Sequence, residues 1–232
     1  MIKFFERYEF VFCMMLIIFY IVINSICLNS FGQFDYKTAL VNTVFSLLLI
    51  IFIRKLKRLK YYGLTKPKDS KKYLYFIPLI LISTCNLWTG ININNTVLEI
   101  TFFMITMINV GFIEEIIFRG FLFKMMEKDN VKTAIIVSSV TFGIGHIVNL
   151  FTGADIIPTL IQICYATSIG YLFVIIFYKS NSLLPCIITH SIVNALSVFN
   201  TENFISIYII PIFLIVIPII YALYINKNVK NN

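Results

Sequence analysis

Long apolar stretches separated by short polar breaks run along almost the whole chain. Eight can be marked, at about 10–29, 38–53, 73–88, 97–122, 131–149, 157–178, 183–199 and 204–225. Roughly 17 to 25 apolar residues are what an α-helix needs to cross a bilayer, so the pattern predicts a bundle of about eight transmembrane helices, all-α and polytopic. The residues after the first apolar run, CLNSFGQF, lack the small-x-small pattern of a signal-peptide cleavage site. That run is therefore read as a true span.

Composition agrees with the pattern. The chain has 232 residues, is 59% hydrophobic and has a mean hydropathy of +0.89, above the roughly half apolar content of soluble globules. A single integral membrane domain over 1–232 is expected, with no soluble domain, internal repeat or low-complexity tract. Five cysteines, Cys13, Cys27, Cys85, Cys164 and Cys186, are scattered through the spans without CxxC pairing and read as small buried hydrophobes.

Charge placement tests the span count independently. Of 19 Lys and Arg residues, nine lie between the second and third spans: Arg54, Lys55, Lys57, Arg58, Lys60, Lys66, Lys68, Lys71 and Lys72. If that segment is cytoplasmic under the positive-inside rule, alternation makes both termini and the 123–132 and 179–182 connections cytoplasmic as well. Lys3, Arg7, Lys124, Lys128, Lys132, Lys179, Lys227 and Lys230 then also fall inside. Lys37 alone falls outside, and Arg119 lies within a span. The net charge of +8 thus reports topology and attraction to anionic lipid. It does not point to nucleic acid, because no basic face is free of the membrane.

Residues 111–121, GFIEEIIFRGF, set two glutamates and an arginine among Ile, Phe and Leu. A charge at the bilayer centre costs at least ~2.5 kcal/mol. Residues four apart share a helix face, so Glu115 reaches Arg119 and the two form a structural ion pair. Glu114, about 100° away on the helix, has no cation in its own span and must meet something polar from another. The chain's two histidines, His146 and His190, both lie in predicted spans; Phe142 is one turn before His146 and Asn194 one turn after His190. Counted from their cytoplasmic ends at about 1.5 Å per residue, Glu114, His146, His190 and Asn194 lie roughly 10 to 20 Å deep, so they can share one level. A carboxylate, two imidazoles and a carboxamide converging there make a hydrolytic site. Asn149 supports the site or caps a helix end. Asn86, Asn109, Gln162 and Ser168 read as packing or hydrogen-bonding residues.

Spacing excludes several chemistries. No HExxH stands for a zincin and no GxSxG for a nucleophile elbow. The four Asp residues lie in loops or at span ends, so an intramembrane aspartyl dyad is missing. Water activated by Glu and His remains, with or without a metal.

These residues resemble the CPBP family (CAAX proteases and bacteriocin-processing enzymes, also called Abi), eight-span intramembrane proteases. The motif EExxFRG is met by Glu114, Glu115, Phe118, Arg119 and Gly120, FxxxH by Phe142 and His146, and HxxxN by His190 and Asn194. Ser138, Ser139 and Asn149 extend the likeness, which covers about 97–200, the expected catalytic core. The resemblance implies peptide-bond hydrolysis with Glu114 as general base helped by His146. His190 and Asn194 would bind the oxyanion or, in the metalloprotease version, join a site in which Glu114, His146 and His190 hold zinc or another divalent metal. Two His and one carboxylate with an open position would suit hydrolytic zinc; a metal-free site needs Glu114 ionised and Asn194 donating to the oxyanion.

Family members cleave prenylated CAAX tails. Ile-, Lys- and Asn-heavy usage suggests an AT-rich genome and a bacterial plasma membrane, where a leader, pheromone or bacteriocin-type peptide is the expected substrate and immunity to such a peptide an alternative role. A non-catalytic immunity or scaffold protein is the competing class. A small transporter is a third class, but the outer connections 89–96 and 150–156 show nothing like a gate. Oligomeric state is left open.

Overall fold

The structure, a computed structural model, describes residues 2–67 and 77–229. Lys68, Lys71, Lys72, Lys230 and the start of the predicted third span lie outside the described residues. Nine helical elements occur among the described residues, with no strand. They are α1 (Ile2–Arg7), α2 (Glu9–Phe31), α3 (Tyr36–Lys55), α4 (Ile77–Leu87), α5 (Val97–Met126), α6 (Val131–Thr152), α7 (Ile156–Ser180), α8 (Leu184–Phe199) and α9 (Ile205–Asn228).

All eight predicted stretches contain helix. Six, α2, α3, α5, α6, α7 and α9, are long and apolar enough to cross a membrane, whereas α4 and α8 are shorter apolar helices. The chain is an all-helical, polytopic integral membrane protein. Its outer surface fits that class: Ile18, Phe19, Leu48, Ile80, Leu160, Ile212 and Ile220 are all more than half exposed. Apolar cover of that extent would be an association hazard in water, whereas lipid tails satisfy it.

Local signals set several boundaries. Asp35 caps α3 by accepting from the Lys37 amide. Thr96 and Glu99 form a reciprocal capping box at the start of α5, occupying amides that the first turn leaves unpaired. Asn130 caps α6, and Pro185 sits in the first turn of α8, where its missing N–H is harmless.

The core of the bundle is α5 packed against α3 and α8, with α7 packed against α6 and α9. Without a hydrophobic drive between helices in lipid, close approach must come from small residues. A Cβ placed on Gly111 of α5 would fall 2.7 Å from the Ser191 amide nitrogen of α8. One on Gly143 of α6 would fall 2.8 Å from the Ile163 carbonyl oxygen of α7. Gly145, two residues on, has no such close neighbour: its Cβ would meet only Phe118, at 3.9 Å. Side-chain bonds add to the packing. Ser191 Oγ donates to the Ile108 carbonyl, Asn86 Nδ2 to the Val193 carbonyl and Asn109 Nδ2 to Thr43 Oγ1.

The basic connections meet at one end of the bundle. The Leu183 amide donates to the Gly63 carbonyl, Ser182 Oγ to the Thr65 carbonyl and Tyr61 OH to the Lys124 carbonyl, while Lys128 pairs with Glu9. The N-terminus, the segment after α3, the α5–α6 turn and the α7–α8 turn therefore share one side, as alternation requires. The cysteines are all free; four are buried, but Cys164 is exposed, so the expectation of a buried thiol fails there.

Gly111→Ala should destabilise the bundle by about 1–3 kcal/mol through overpacking against backbone, read as a lower melting temperature in detergent. Gly120→Ala, whose Cβ would meet nothing nearer than 3.8 Å, should melt close to wild type. Equal melting of the two variants would show that the α5–α8 contact is looser than described.

Candidate active site

The two adjacent glutamates stand where α5 changes its winding. Val97–Glu115 is α-helical and Ile116–Phe123 is a π-helix, a wider turn found mostly at functional sites. A continuous α-helix is what the sequence predicts here. The predicted i,i+4 pair survives the change, with Arg119 Nη1 donating to Glu115 Oε1 at 2.9 Å, both side chains fully buried.

Glu115 does more than neutralise Arg119. The same Oε1 lies 2.9 Å from His190 Nδ1. A carboxylate only accepts, so Nδ1 carries the proton and Nε2 is the free nitrogen of His190. Glu115 thereby fixes the tautomer and aim of an imidazole on α8. Arg119 is held on its other faces by rings, its guanidinium carbon 4.0 Å from the centroid of Phe142 and 5.7 Å from that of Phe173. Cation–π attraction of this kind strengthens when desolvated. Gly170 makes room for it, since a Cβ there would lie 3.0 Å from Arg119 Nη2 and 3.1 Å from the Phe142 ring.

Glu114 points elsewhere. Its Oε2 lies 3.6 Å from His190 Nε2, too long for a hydrogen bond but near enough for one water to touch both. Its Oε1 accepts from Tyr20 OH of α2 at 3.0 Å. The side chain is 14% exposed and lines a cavity of about 60 Å³ together with Tyr20, Asn24, Phe142, His146 and Asn149 among others. One water needs roughly 10–15 Å³ of such volume, so the cavity has room for water beside the carboxylate.

Phe142 organises the two imidazoles. Its ring meets His146 and His190 edge to face, each at 5.5 Å between centroids. Ser138 Oγ, one turn earlier on α6, donates to the Phe118 carbonyl at 2.9 Å and fastens α6 to the π segment of α5. The α-helical part of α6 ends at Gly145, and His146 opens a 3₁₀ turn running to Thr152. Asn149 lies in that turn, lines the cavity and donates through Nδ2 to Gln162 Oε1 at 2.8 Å. The residues singled out in sequence are thus brought together: Glu114 with His190, Glu115 with Arg119 and His190, His146 and Asn149 on the cavity. Asn194, one turn beyond His190 on α8, is half-buried and is not among the residues lining the cavity.

Sequence reasoning missed Tyr20 and Asn24. Both are polar and one turn apart in the first span, a signal available in principle. Tyrosine is too common in membrane helices to have stood out.

Among the described residues no group of three or more His, Cys, Asp or Glu side chains is arranged to hold a metal ion. His190 gives Nδ1 to Glu115 and turns Nε2 toward Glu114 Oε2 at 3.6 Å.

A half-buried carboxylate thus stands beside a cavity with room for water, with two imidazoles close by, inside a helical membrane bundle. Residues 96–196, which carry all three motifs, match the model of the type II CAAX prenyl endopeptidase Rce1-like family, in agreement with the resemblance of the motifs. No curated protein and no solved structure matches the chain. The family is one of proteases, so the match supports an intramembrane endopeptidase in general terms.

Arg119→Leu should strand Glu115 as a buried charge, at a cost of about 3–5 kcal/mol. Folded yield on size-exclusion chromatography and melting temperature should both fall sharply, and Glu115→Gln should fall in the same direction. Normal yield of Arg119→Leu would show that the pair does not hold α5 to α8.

Proposed function

We propose that the protein cleaves a membrane-associated or hydrophobic peptide with water activated by Glu114. The observation that carries this reading is the position of Glu114: one carboxylate oxygen near His190 Nε2 at 3.6 Å and the side chain on a cavity large enough for water. Glu114 takes a proton from the water as its oxygen adds to the scissile carbonyl carbon. The carbonyl oxygen gains the negative charge, which His190 stabilises by donating from Nε2 in its doubly protonated form, with Nδ1 held on Glu115. His146, on the same cavity, assists the proton transfer. Collapse of the tetrahedral species breaks the C–N bond, and the proton held by Glu114 passes to the leaving amine, so the carboxylate is regenerated. General-base help of this kind contributes typically 10²–10⁴-fold.

The bundle end that gathers the basic connections faces the cytoplasm under the positive-inside rule. Ten residues separate Glu114 from Lys124 on α5, which sets the site in the cytoplasmic half of a bacterial plasma membrane. A leader, pheromone, bacteriocin-type or CAAX-like peptide would approach from that side. The second reading is a non-catalytic immunity or scaffold protein that keeps the polar cluster for folding.

Purified protein in lipid, offered a panel of hydrophobic and leader-like peptides, should cleave at least one of them. Glu114→Gln should lower kcat by at least about 10²-fold while eluting and melting like wild type. Activity should survive a chelator. Chelator-sensitive cleavage would move the mechanism to the metal version, and equal behaviour of wild type and Glu114→Gln would move the function to the scaffold reading.

A further inference from the structure

The family match begins at residue 96, yet one wall of the cavity belongs to α2. Tyr20 is 5% exposed, stacks on Phe45 at 5.9 Å between centroids and donates its hydroxyl to Glu114 Oε1 at 3.0 Å. Its depth matches that of its partner. Tyr20 is eleven residues past Glu9, which pairs with Lys128 at the basic end; Glu114 is ten residues from Lys124. By residue count the two stand at a similar distance from that end. One turn further along α2, Asn24 lines the same cavity, and its Oδ1 is buried without a hydrogen-bond partner. A buried acceptor left unpaired costs free energy, so its persistence in the cavity wall points to a donor bound in the cavity.

We propose that α2 completes the reaction centre: Tyr20 is a positioning residue that holds Glu114 by one oxygen so that the other faces His190, and Asn24 Oδ1 accepts from the cavity water. The inference rests on the protease reading above and deepens it. A carboxylate at the end of three side-chain torsions would otherwise sample several orientations. With Oε1 tied to α2, Oε2 is the oxygen left beside His190 Nε2. The attacking water then gives one proton to Glu114 while its other O–H is held by Asn24, which leaves an oxygen lone pair for the carbonyl carbon. If Tyr20 served only to fasten α2 to α5, losing its hydroxyl would affect melting and leave turnover alone.

Tyr20→Phe keeps the ring and its stacking on Phe45. Cleavage by this variant should show kcat lower by about ten- to a hundredfold, the usual weight of a hydrogen bond to a charged group, with KM within about twofold and melting unchanged. Asn24→Leu should lower kcat several-fold in the same way. Wild-type kcat in Tyr20→Phe, or a loss of activity matched by a loss of melting temperature, would overturn the positioning role. Wild-type kcat in Asn24→Leu would remove Asn24 from the centre, and a raised KM there would assign it to the peptide and not to water.

A second arm does not depend on turnover. The protein in lipid is treated with a hydrophobic carbodiimide, and modification of Glu114 is read by mass spectrometry with Glu114→Gln as control. Tyr20→Phe should raise labelling several-fold, because the hydroxyl no longer covers Oε1; unchanged labelling would overturn the contact itself. If wild-type protein cleaves nothing while labelling still responds to Tyr20→Phe, the protease reading fails and the α2 contact stands.

Discussion

One carboxylate oxygen, Glu115 Oε1, accepts from an arginine on its own helix and a histidine on another, both at 2.9 Å. In a protein whose surface is lipid, such a charge tolerates no vacancy around it. The desolvation cost of a buried ion is several kcal/mol and is offset only if every partner arrives together. The requirement is met by covalent adjacency on one side, since Arg119 is four residues away, and by packing on the other, since His190 must be delivered by α8. Gly111 lets α8 come close enough for that delivery, and Gly170 leaves space for the guanidinium between Phe142 and Phe173. The ion pair thus constrains α5, α6, α7 and α8 at once.

The chemistry depends on this constraint indirectly. Glu115 and Arg119 do not line the cavity. They settle which nitrogen of His190 is free and where it points, and that nitrogen faces Glu114. Two neighbouring glutamates therefore divide the labour by orientation. The inward one gives its Oε1 to two structural partners, while the other meets a phenol, an imidazole and a cavity with room for water. The switch from α to π winding immediately after them adds to this division, because it re-aims the side chains that follow without breaking the helix.

The bilayer explains the remaining arrangement. Many hydroxyls within the spans bond to the carbonyl one turn back in their own helix, while several polar side chains bond across helices, such as Ser138 to the Phe118 carbonyl and Asn86 to the Val193 carbonyl. Those bonds also set helix register, so the polar residues that stabilise the bundle are the ones that bring the reactive groups to one depth. The basic connections gather at one end and supply the anchors that fix depth against the headgroups.

Much of this was legible in the chain itself. Apolar runs gave the helices because a span is a local property of about twenty residues, and Glu115 with Arg119 was legible because four residues make one helical turn. The grouping of Glu114, His146 and His190 could be inferred from their rarity in lipid and from the three motifs. What sequence could not supply was decided by distances between helices: that Glu115 also holds His190, that Asn194 stays off the cavity lining, and that α2, far away in the chain, brings Tyr20 to Glu114. Nor did periodicity distinguish α from π winding over 116–123, since the same apolar residues fit either. Local geometry fixes which residues share a helix, but the partner of a buried charge on another helix is chosen by packing, and packing belongs to the folded bundle alone.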